Sequence, residues 1–319
     1  MVFQNHMRFH PTLMFFRALL PWCFFIFSFV PVRCAGQGQD KALITQLQTL
    51  ANEVRGDVGI YVRHLQKGTT VAINADTIFP TASMIKVPIT IGMFDKIEHG
   101  DIDYHAKLTY RDSLLYEGED ILGSFKDGEE IWLSKVMMLM ITTSDNTASL
   151  WCQSLAGTGT AINRWLEKAG YLYTRVNSRT PGRESERSNY GWGQTTPREM
   201  AELFVRIREG SVVSPRASER IYRNLTHNYY DSEALSQIPP FVQAASKQGA
   251  VDQSRSEVVL VNAPHGDYVF CVITKNQDDQ RYVPDNEGYL LLRRVSALLW
   301  KYFEPGSKWE SPRNATEWY

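Results

Sequence analysis

The sequence has no excess of positive charge and no clustering of its basic residues. It contains 34 lysines and arginines against 35 aspartates and glutamates, a net charge of −1, and no basic run is interleaved with aromatic residues. Binding to a phosphate backbone needs such a basic stripe, so the composition excludes a nucleic-acid partner. The sequence also lacks internal repeats, and its cysteines lack the spacing of metal ligands, so we predict no metal site and no cofactor.

Cysteine is scarce, with four in 319 residues. Two of them, Cys23 and Cys34, lie in an N-terminal apolar segment. The other two, Cys152 and Cys271, lie in apolar stretches that are typical of buried thiols. A disulfide between these two is permitted outside the cytosol, but the sequence does not imply one.

Residues 1–36 have the pattern of a secretory signal peptide. Arg8 and Arg17 precede fifteen uncharged residues, 18–32, and this stretch is shorter than the roughly 20 residues that span a bilayer as a helix. Small residues at 34–36 offer a cleavage point. We therefore predict export to the periplasm or the extracellular space, with no stable membrane partner after cleavage. An uncleaved N-terminal membrane anchor is the alternative.

The rest of the chain predicts one large domain, residues 37–304, followed by a tail, 305–319. The predicted domain begins with a helix and two strands and ends with three strands and a helix. The remaining helical patterns lie between these two groups of strands. This order predicts an α/β (α+β) sandwich, in which helices flank an antiparallel sheet and a mostly helical lobe is inserted. Residues 178–194, poor in apolar side chains, predict a long surface loop. The predicted strands are 58–62, 70–73, 246–248, 257–262 and 267–275, and the predicted helices are 42–54, 83–99, 132–140, 197–208 and 290–303.

Ser83 and Lys86 are three residues apart in a segment of helical character. Positions i and i+3 share one face of a helix, so the ammonium nitrogen of Lys86 can reach the hydroxyl of Ser83. A serine hydroxyl is a poor nucleophile at neutral pH unless an adjacent base takes its proton. The pair therefore indicates serine acyl transfer, although alone it also fits a helix start with an exposed lysine.

Two more triplets follow, Ser-Asp-Asn at 144–146 and Lys-Gln-Gly at 247–249. Each has a structural alternative. Ser144 and Asn146 could cap a helix that begins near Thr147, and Lys247 could be a solvated strand residue. Three such motifs rarely occur together by chance, so their combination favours a catalytic site.

The motifs Ser83-Met84-Ile85-Lys86, Ser144-Asp145-Asn146 and Lys247-Gln248-Gly249, in this order, resemble those of the class A β-lactamases and related penicillin-recognising serine enzymes. The resemblance extends from about residue 40 to 303. It implies an exported serine hydrolase that opens β-lactam rings through an acyl-Ser83 intermediate. Its small-molecule partner would be a β-lactam or a D-alanyl peptide.

By this resemblance, Ser83 is the nucleophile and Lys86 is its proton partner. Ser144 would relay a proton to the leaving nitrogen, and Asn146 would hold the amide side chain of the substrate. Lys86 must then be neutral part of the time, and both burial and a second ammonium at Lys247 would lower its pKa.

The third motif would supply substrate contacts. Lys247 would attract the substrate carboxylate. The backbone N–H groups of Ser83 and of Ala250, which follows Gly249, would form the oxyanion hole. Gln248 departs from the threonine or serine that is usual in the family, and its larger amide predicts a different recognition of the carboxylate.

The chain lacks the loop glutamate that activates the deacylating water in class A enzymes. Thr180 stands before Pro181, where that glutamate would be. Glu184 and Glu186 are close, but neither has the family's spacing to Asn189, and both also fit an exposed acidic patch. General-base catalysis contributes about 10² to 10⁴-fold, so an acyl-enzyme without a positioned base would be long-lived.

Two alternatives to a β-lactamase therefore stay open. One is a D,D-peptidase or another amide or ester hydrolase that acts on cell-wall fragments. The other is a penicillin-binding sensor that deacylates slowly. The loop at 178–189 discriminates between them, because a carboxylate directed at Ser83 favours a β-lactamase and a loop that is turned away favours the alternatives.

Overall fold

The computed structural model describes residues 40–118 and 120–312, all of which belong to one compact unit. The predicted signal peptide, 1–36, lies outside the described residues, as does the end of the predicted tail, 313–319. Among the residues that are described, no helix is both long enough and apolar enough to cross a membrane.

The described chain consists of short strands and of helices of seven to 17 residues. The helices are α1 (Lys41–Ala51), α2 (Lys86–Glu98), α3 (Leu133–Thr142), α4 (Asn146–Leu155), α5 (Thr158–Lys168), α6 (Glu184–Tyr190), α7 (Pro197–Arg208), α8 (Pro215–Leu225) and α9 (Glu287–Phe303). The strands are β1 (Asp57–His64), β2 (Thr70–Ile73), β3 (Phe79–Pro80), β4 (Lys107–Thr109), β5 (Glu130–Trp132), β6 (Arg175–Val176), β7 (Gly193–Thr195), β8 (Ala244–Val251), β9 (Ser254–Val261) and β10 (Tyr268–Lys275).

The main sheet has five antiparallel strands in the order β2-β1-β10-β9-β8. The first and last strands of the described chain meet at its centre, where Ile60 of β1 pairs with Val272 of β10. Strands β9 and β10 are buried almost throughout, because helices cover both faces of the sheet, and β10 and the second half of β9 are largely apolar. β8 forms one edge of the sheet, and this edge lies beside the segment that carries Ser83.

Two hydrophobic clusters fill the layers on either side of the sheet. On one face, α1 and α9 pack with side chains such as Leu43 and Leu299. On the other face, α7 crosses the sheet with Phe204, and the helices between β2 and β8 pack behind it. The predicted sandwich with an inserted helical lobe is confirmed.

Local signals account for several helix starts. Thr196 caps α7 by accepting a hydrogen bond from the backbone N–H of Glu199 at 3.2 Å, and Pro197 occupies the first helical position. The helix ends at Arg208, where the sequence predicts its end.

The two cysteines of the domain, Cys152 and Cys271, are buried and unpaired, and burial raises the pKa of both thiols.

Two expectations are wrong in detail. The predicted surface loop 178–194 contains α6 and the start of β7. Its helix has no apolar periodicity because none of its residues is fully buried. In addition, Ser83 does not lie within an α-helix. It sits in a 3₁₀ turn, Ala82–Ile85, and α2 begins at Lys86.

Candidate active site

Ser83 and Lys86 lie side by side at the start of α2. The Nζ atom of Lys86 is 3.0 Å from the Oγ atom of Ser83. Ser83 is half-buried, and Lys86 is completely buried. The tight 3₁₀ turn thus brings the hydroxyl and the amine together as the i, i+3 spacing predicts, within the range of direct proton transfer.

Ser144 lies between two lysine amines. Its Oγ atom is 3.0 Å from the Nζ atom of Lys86 and 3.0 Å from the Nζ atom of Lys247. Lys86 also donates to the backbone carbonyl of Ser144 and to the Oδ1 atom of Asn146, the latter at 2.8 Å. This arrangement forms a chain of exchangeable protons that runs from Ser83 through Lys86 to Ser144.

Burial lowers the pKa of Lys86 from its ordinary value to about 7. The negative charges of Asp120 and Asp145 oppose this shift. Complete burial and, second, the charge of Lys86 lower the pKa of Lys247 well below its ordinary value. The repulsion between the two amines, expected to act on Lys86, therefore acts mainly on Lys247. With a pKa of about 7, Lys86 exchanges its proton readily near neutral pH.

Two carboxylates hold the start of α4, which carries the second motif. Asp145 is the N-cap and accepts from the backbone N–H of Ala148 at 2.7 Å. Asp120 accepts from the backbone N–H groups of Asn146 and Thr147 at 2.9 and 2.8 Å. These bonds satisfy donors that a helix start leaves open. The alternative that Ser144 and Asn146 cap this helix is therefore wrong, and their side chains face Lys86 instead.

Backbone strain marks the same two segments. Ala82, directly before Ser83, has a φ of +44°, and Ser144 has a φ of +56°. Both lie in the left-handed region, which residues with a side chain seldom adopt, and such residues cluster at functional sites.

Lys247 is fully buried in β8, so the alternative of a solvated strand residue is wrong. Its amine donates to the side-chain oxygen of Gln248 at 2.5 Å as well as to Ser144. The amine is thus occupied by neighbouring protein groups, and burial lowers its pKa, so it is poorly placed to attract a substrate carboxylate.

Gly249 allows β8 to approach the turn that carries Ser83. A β-carbon on Gly249 would lie 2.6 Å from the carbonyl oxygen of Thr81 and 3.0 Å from the β-carbon of Ala82. Any larger residue would push the strand away. Gly249 is buried, so its contribution is close packing, and a contact between Gly249 and substrate is not shown.

Ala250 follows at the open edge of the sheet. Val251 pairs with Ser254 across a two-residue turn, and Ala250 pairs with Arg255. In such a hairpin the pair beside the turn is hydrogen-bonded and the next pair is not. Consistent with this, the N–H of Arg255 donates to Thr274 of β10. The N–H of Ala250 therefore points away from β9, toward the cavity that Ala250 and Ser83 both line.

This cavity has a volume of about 810 Å³, within the usual range for a small-molecule site. Ser83, Asn146 and Ala250 line it together. Tyr116 and Trp192, which come from two different loops, meet edge to face in its wall with their ring centres 5.1 Å apart.

The glutamates of the loop do not reach this cavity. Glu184 accepts from the backbone N–H of Gly182 at 3.1 Å and lines a separate crevice with Thr180. Glu186 lies on the same short helix, α6, and lines neither the Ser83 cavity nor this crevice. Asn189, at the end of α6, does line the Ser83 cavity. Among the described residues, the one carboxylate that lines this cavity is Asp252, on the β8–β9 turn.

Sequence reasoning missed Asp120, Tyr116 and Trp192. Asp120 reaches the start of α4 from a loop 26 residues earlier in the chain, between two 3₁₀ turns. Tyr116 and Trp192 meet only after folding. An aromatic or acidic residue in a loop has no periodicity, so no signal in one sequence could have found these three.

The family model described as the β-lactamase enzyme family matches residues 42–303. The chain is similar to the β-lactamase VEB-1 of Pseudomonas aeruginosa, with 17% identity over 276 residues that cover 83% of this chain and 91% of that protein. It is also similar to a β-lactamase of Streptomyces fradiae, with 24% identity over 271 residues that cover 83% and 87%.

Among solved structures, PBP-A matches with a TM-score of 0.75 and 26% identity, covering 84% of this chain and 98% of that one. The same values describe a mutant of PBP-A that was solved as an acyl-enzyme complex with penicillin-G. A β-lactamase from Sphaerobacter thermophilus matches with a TM-score of 0.73 and 20% identity, covering 83% and 98%, which shows a shared fold.

Proposed function

Because the chain belongs to the β-lactamase enzyme family and is a serine hydrolase of the class A type, we propose that it is exported, is acylated at Ser83 by β-lactams, and releases the product slowly. The observation that carries the proposal is the position of Ser83. Its hydroxyl lies 3.0 Å from an amine whose pKa is about 7, and it opens into a cavity of substrate size.

Acylation proceeds through residues that are already in place. Neutral Lys86 takes the proton of Ser83 as the Oγ atom attacks the lactam carbonyl carbon. The backbone N–H groups of Ser83 and Ala250 stabilise the oxyanion, which is worth about 10² to 10³-fold in rate for one such donor. The amide bond then breaks, and Ser144 delivers a proton to the leaving nitrogen, with Lys86 and Lys247 on either side of its hydroxyl.

Deacylation lacks an equivalent device among the described residues. Thr180 occupies the place of the expected glutamate, and its hydroxyl donates to the carbonyl of Ser178 at 2.9 Å. Glu184 and Glu186 are outside the cavity. Without a positioned base, water attacks the ester more slowly by about 10² to 10⁴-fold.

The absent carboxylate favours a second candidate, a D,D-peptidase that uses the same nucleophile on D-alanyl peptides. Such an enzyme would transfer or hydrolyse its natural acyl group and would be held by penicillin as a long-lived ester. The match to PBP-A, of which a mutant forms an acyl-enzyme with penicillin-G, supports this candidate.

A chromogenic cephalosporin tests the proposal. Mixing it with the purified protein should release one equivalent of coloured product in a burst, followed by a much slower steady phase. Rapid turnover without a burst would contradict slow deacylation. The absence of both a burst and a covalent adduct would contradict acylation by β-lactams. Slow release of penicillin together with rapid cleavage of a D-alanyl peptide would favour the D,D-peptidase.

The acylation rate should depend on pH through Lys86. Its pKa is lowered in the folded protein to about 7, so the neutral amine is the minor form below that pH and the major form above it. We expect the acylation rate constant to rise about tenfold for each pH unit below 7 and to level off above 7. Stopped-flow measurements between pH 5 and 9 would show this, and a rate that falls across this range would contradict the assignment.

Export is part of the proposal and rests on residues 1–36. Cell fractionation and N-terminal sequencing of the mature protein would test it. Recovery of the intact chain in the membrane fraction would instead support an uncleaved anchor, and recovery of the intact chain in the cytosol would contradict export.

A further inference from the structure

We propose that Lys275 and Ser254 form an anion-binding subsite on the acyl side of the cavity, and that the preferred substrates carry a carboxylate at the far end of their acyl group. The inference rests on the proposed function, because it assigns the substrate class of the same site. It concerns residues that belong to none of the three sequence motifs.

The cavity extends from Ser83 toward the acyl half of a substrate. Ser144, which would protonate the leaving group, does not line it, and neither does Lys247. Asn146 and Ala250 line the near part, and the end of β10 and the β8–β9 turn line the far part. A group found there therefore lies on the carbonyl side of the scissile amide bond, away from the leaving nitrogen.

Lys275 is the one cationic side chain among the described residues that line this cavity. It is half-buried, and its Nζ atom donates to the carbonyl oxygen of Ile78 at 3.0 Å and lies 5.0 Å from the ring centre of Phe79. No described carboxylate forms an ion pair with it, although 17 ion pairs occur elsewhere in the described chain. An ammonium group has three donors, so two remain for a ligand.

Ser254 supplies an independent observation. It is 1% exposed, its Oγ atom has no hydrogen-bond partner, and it lines the same cavity. A buried hydroxyl without a partner needs an explanation, and one that lines an open cavity is free to bind a ligand. Ser254 is two residues before Ser256 in β9, and Lys275 is two residues after Ile273 in β10, the last pair of the β9–β10 ladder. Both residues therefore lie at the same end of the two strands, and both line the cavity. An ammonium and a hydroxyl side by side suit a carboxylate.

The carboxylates near Lys275 form hydrogen bonds with other residues. Asp252 accepts from the hydroxyl of Tyr282 at 3.3 Å, and Asp57, which pairs with Lys275 across the sheet, accepts from the side chain of Asn276 at 2.8 Å. The charge of Lys275 is therefore available to a ligand. Lys247 is an unsuitable anchor by comparison, because it is fully buried and occupied by Ser144 and Gln248.

Sheet geometry gives the length of the substrate. Adjacent strands lie about 4.8 Å apart, so β10 is about 10 Å from β8, which carries Ala250. An acyl chain held beside Ala250 must cover a comparable distance to bring its terminal carboxylate to Lys275. A glutaryl group on the amine of the penicillin nucleus has this reach.

Two penicillins provide the test: in one, the amine of the penicillin nucleus is acylated with glutaric acid, and the other differs only in having a terminal carboxamide. Calorimetry would measure their binding to Ser83→Ala protein, which cannot be acylated. We expect the carboxylate compound to bind at least about tenfold more tightly than the carboxamide. Adding Lys275→Met should abolish this preference, Lys275→Arg should keep it, and Ser254→Ala should weaken it.

Lys135→Met is the matched control, because Lys135 is an exposed lysine of α3 outside the cavity. It should leave the preference unchanged. A merely structural role of Lys275 would weaken both compounds equally, and that result would overturn the proposal. So would the absence of any preference in Ser83→Ala, including failure of both compounds to bind. Preferential binding without acylation of the wild type would uphold the subsite and overturn the proposed function.

Discussion

Replacing Ser83 with alanine should abolish the covalent adduct with β-lactams and reduce the rate of ring opening by at least about 10³-fold. The hydroxyl of Ser83 lies 3.0 Å from the amine of Lys86, and Ser83 also lines the cavity of about 810 Å³. Without it, the cavity can still bind a ligand, but no ester can form. Intact-protein mass spectrometry and the chromogenic assay would measure the two effects.

The control for this substitution is Ser113→Ala, since Ser113 is an exposed serine that does not line the cavity. It should keep both the adduct and the burst. Thermal unfolding of each variant would show that the fold is retained. An adduct that persists in folded Ser83→Ala would place the nucleophile elsewhere.

Replacing Lys86 with methionine should slow acylation by about 10² to 10⁴-fold, the usual contribution of a positioned general base. Methionine fills a similar buried volume but cannot accept the proton of Ser83. The substitution also removes the hydrogen bonds that hold Ser144 and Asn146. Stopped-flow acylation rates would quantify the loss, and the rise in rate toward pH 7 should disappear.

Lys86→Arg separates the role of the base from the role of the charge. A guanidinium stays protonated at any accessible pH, so this variant keeps a cation but has no base. We expect acylation to remain as slow as in Lys86→Met, provided that thermal unfolding shows a folded protein. Acylation by Lys86→Arg at the wild-type rate would contradict the role assigned to Lys86.

The parts of the site that depend on local geometry were predictable from the sequence. Ser83 and Lys86 meet because one turn of the chain brings them together, and the 3₁₀ turn preserves this contact. The antiparallel sheet was predictable for a similar reason, since short connections at 65–69 and 262–267 join β1 to β2 and β9 to β10 as hairpins.

The parts that depend on long-range packing were not predictable. The burial of Lys247 follows from the close approach of β8 to the Ser83 turn, which Gly249 permits. Asp120 acts on Asn146 from a separate loop, and Lys275 enters the cavity from the far end of β10. Helix α6 was not predicted, because none of its residues is fully buried and its sequence therefore has no apolar periodicity.

The central claim is that Ser83 forms an ester with β-lactams and that residues 40–118 and 120–312 hold no positioned base to hydrolyse it. Time-resolved intact mass spectrometry after a pulse of penicillin-G tests this claim most directly. We predict that the mass of one whole penicillin-G molecule is added within seconds, that it maps to the peptide containing Ser83, and that it persists for minutes after free penicillin is removed. An adduct on another residue, no adduct at all, or loss of the adduct within milliseconds would contradict the account.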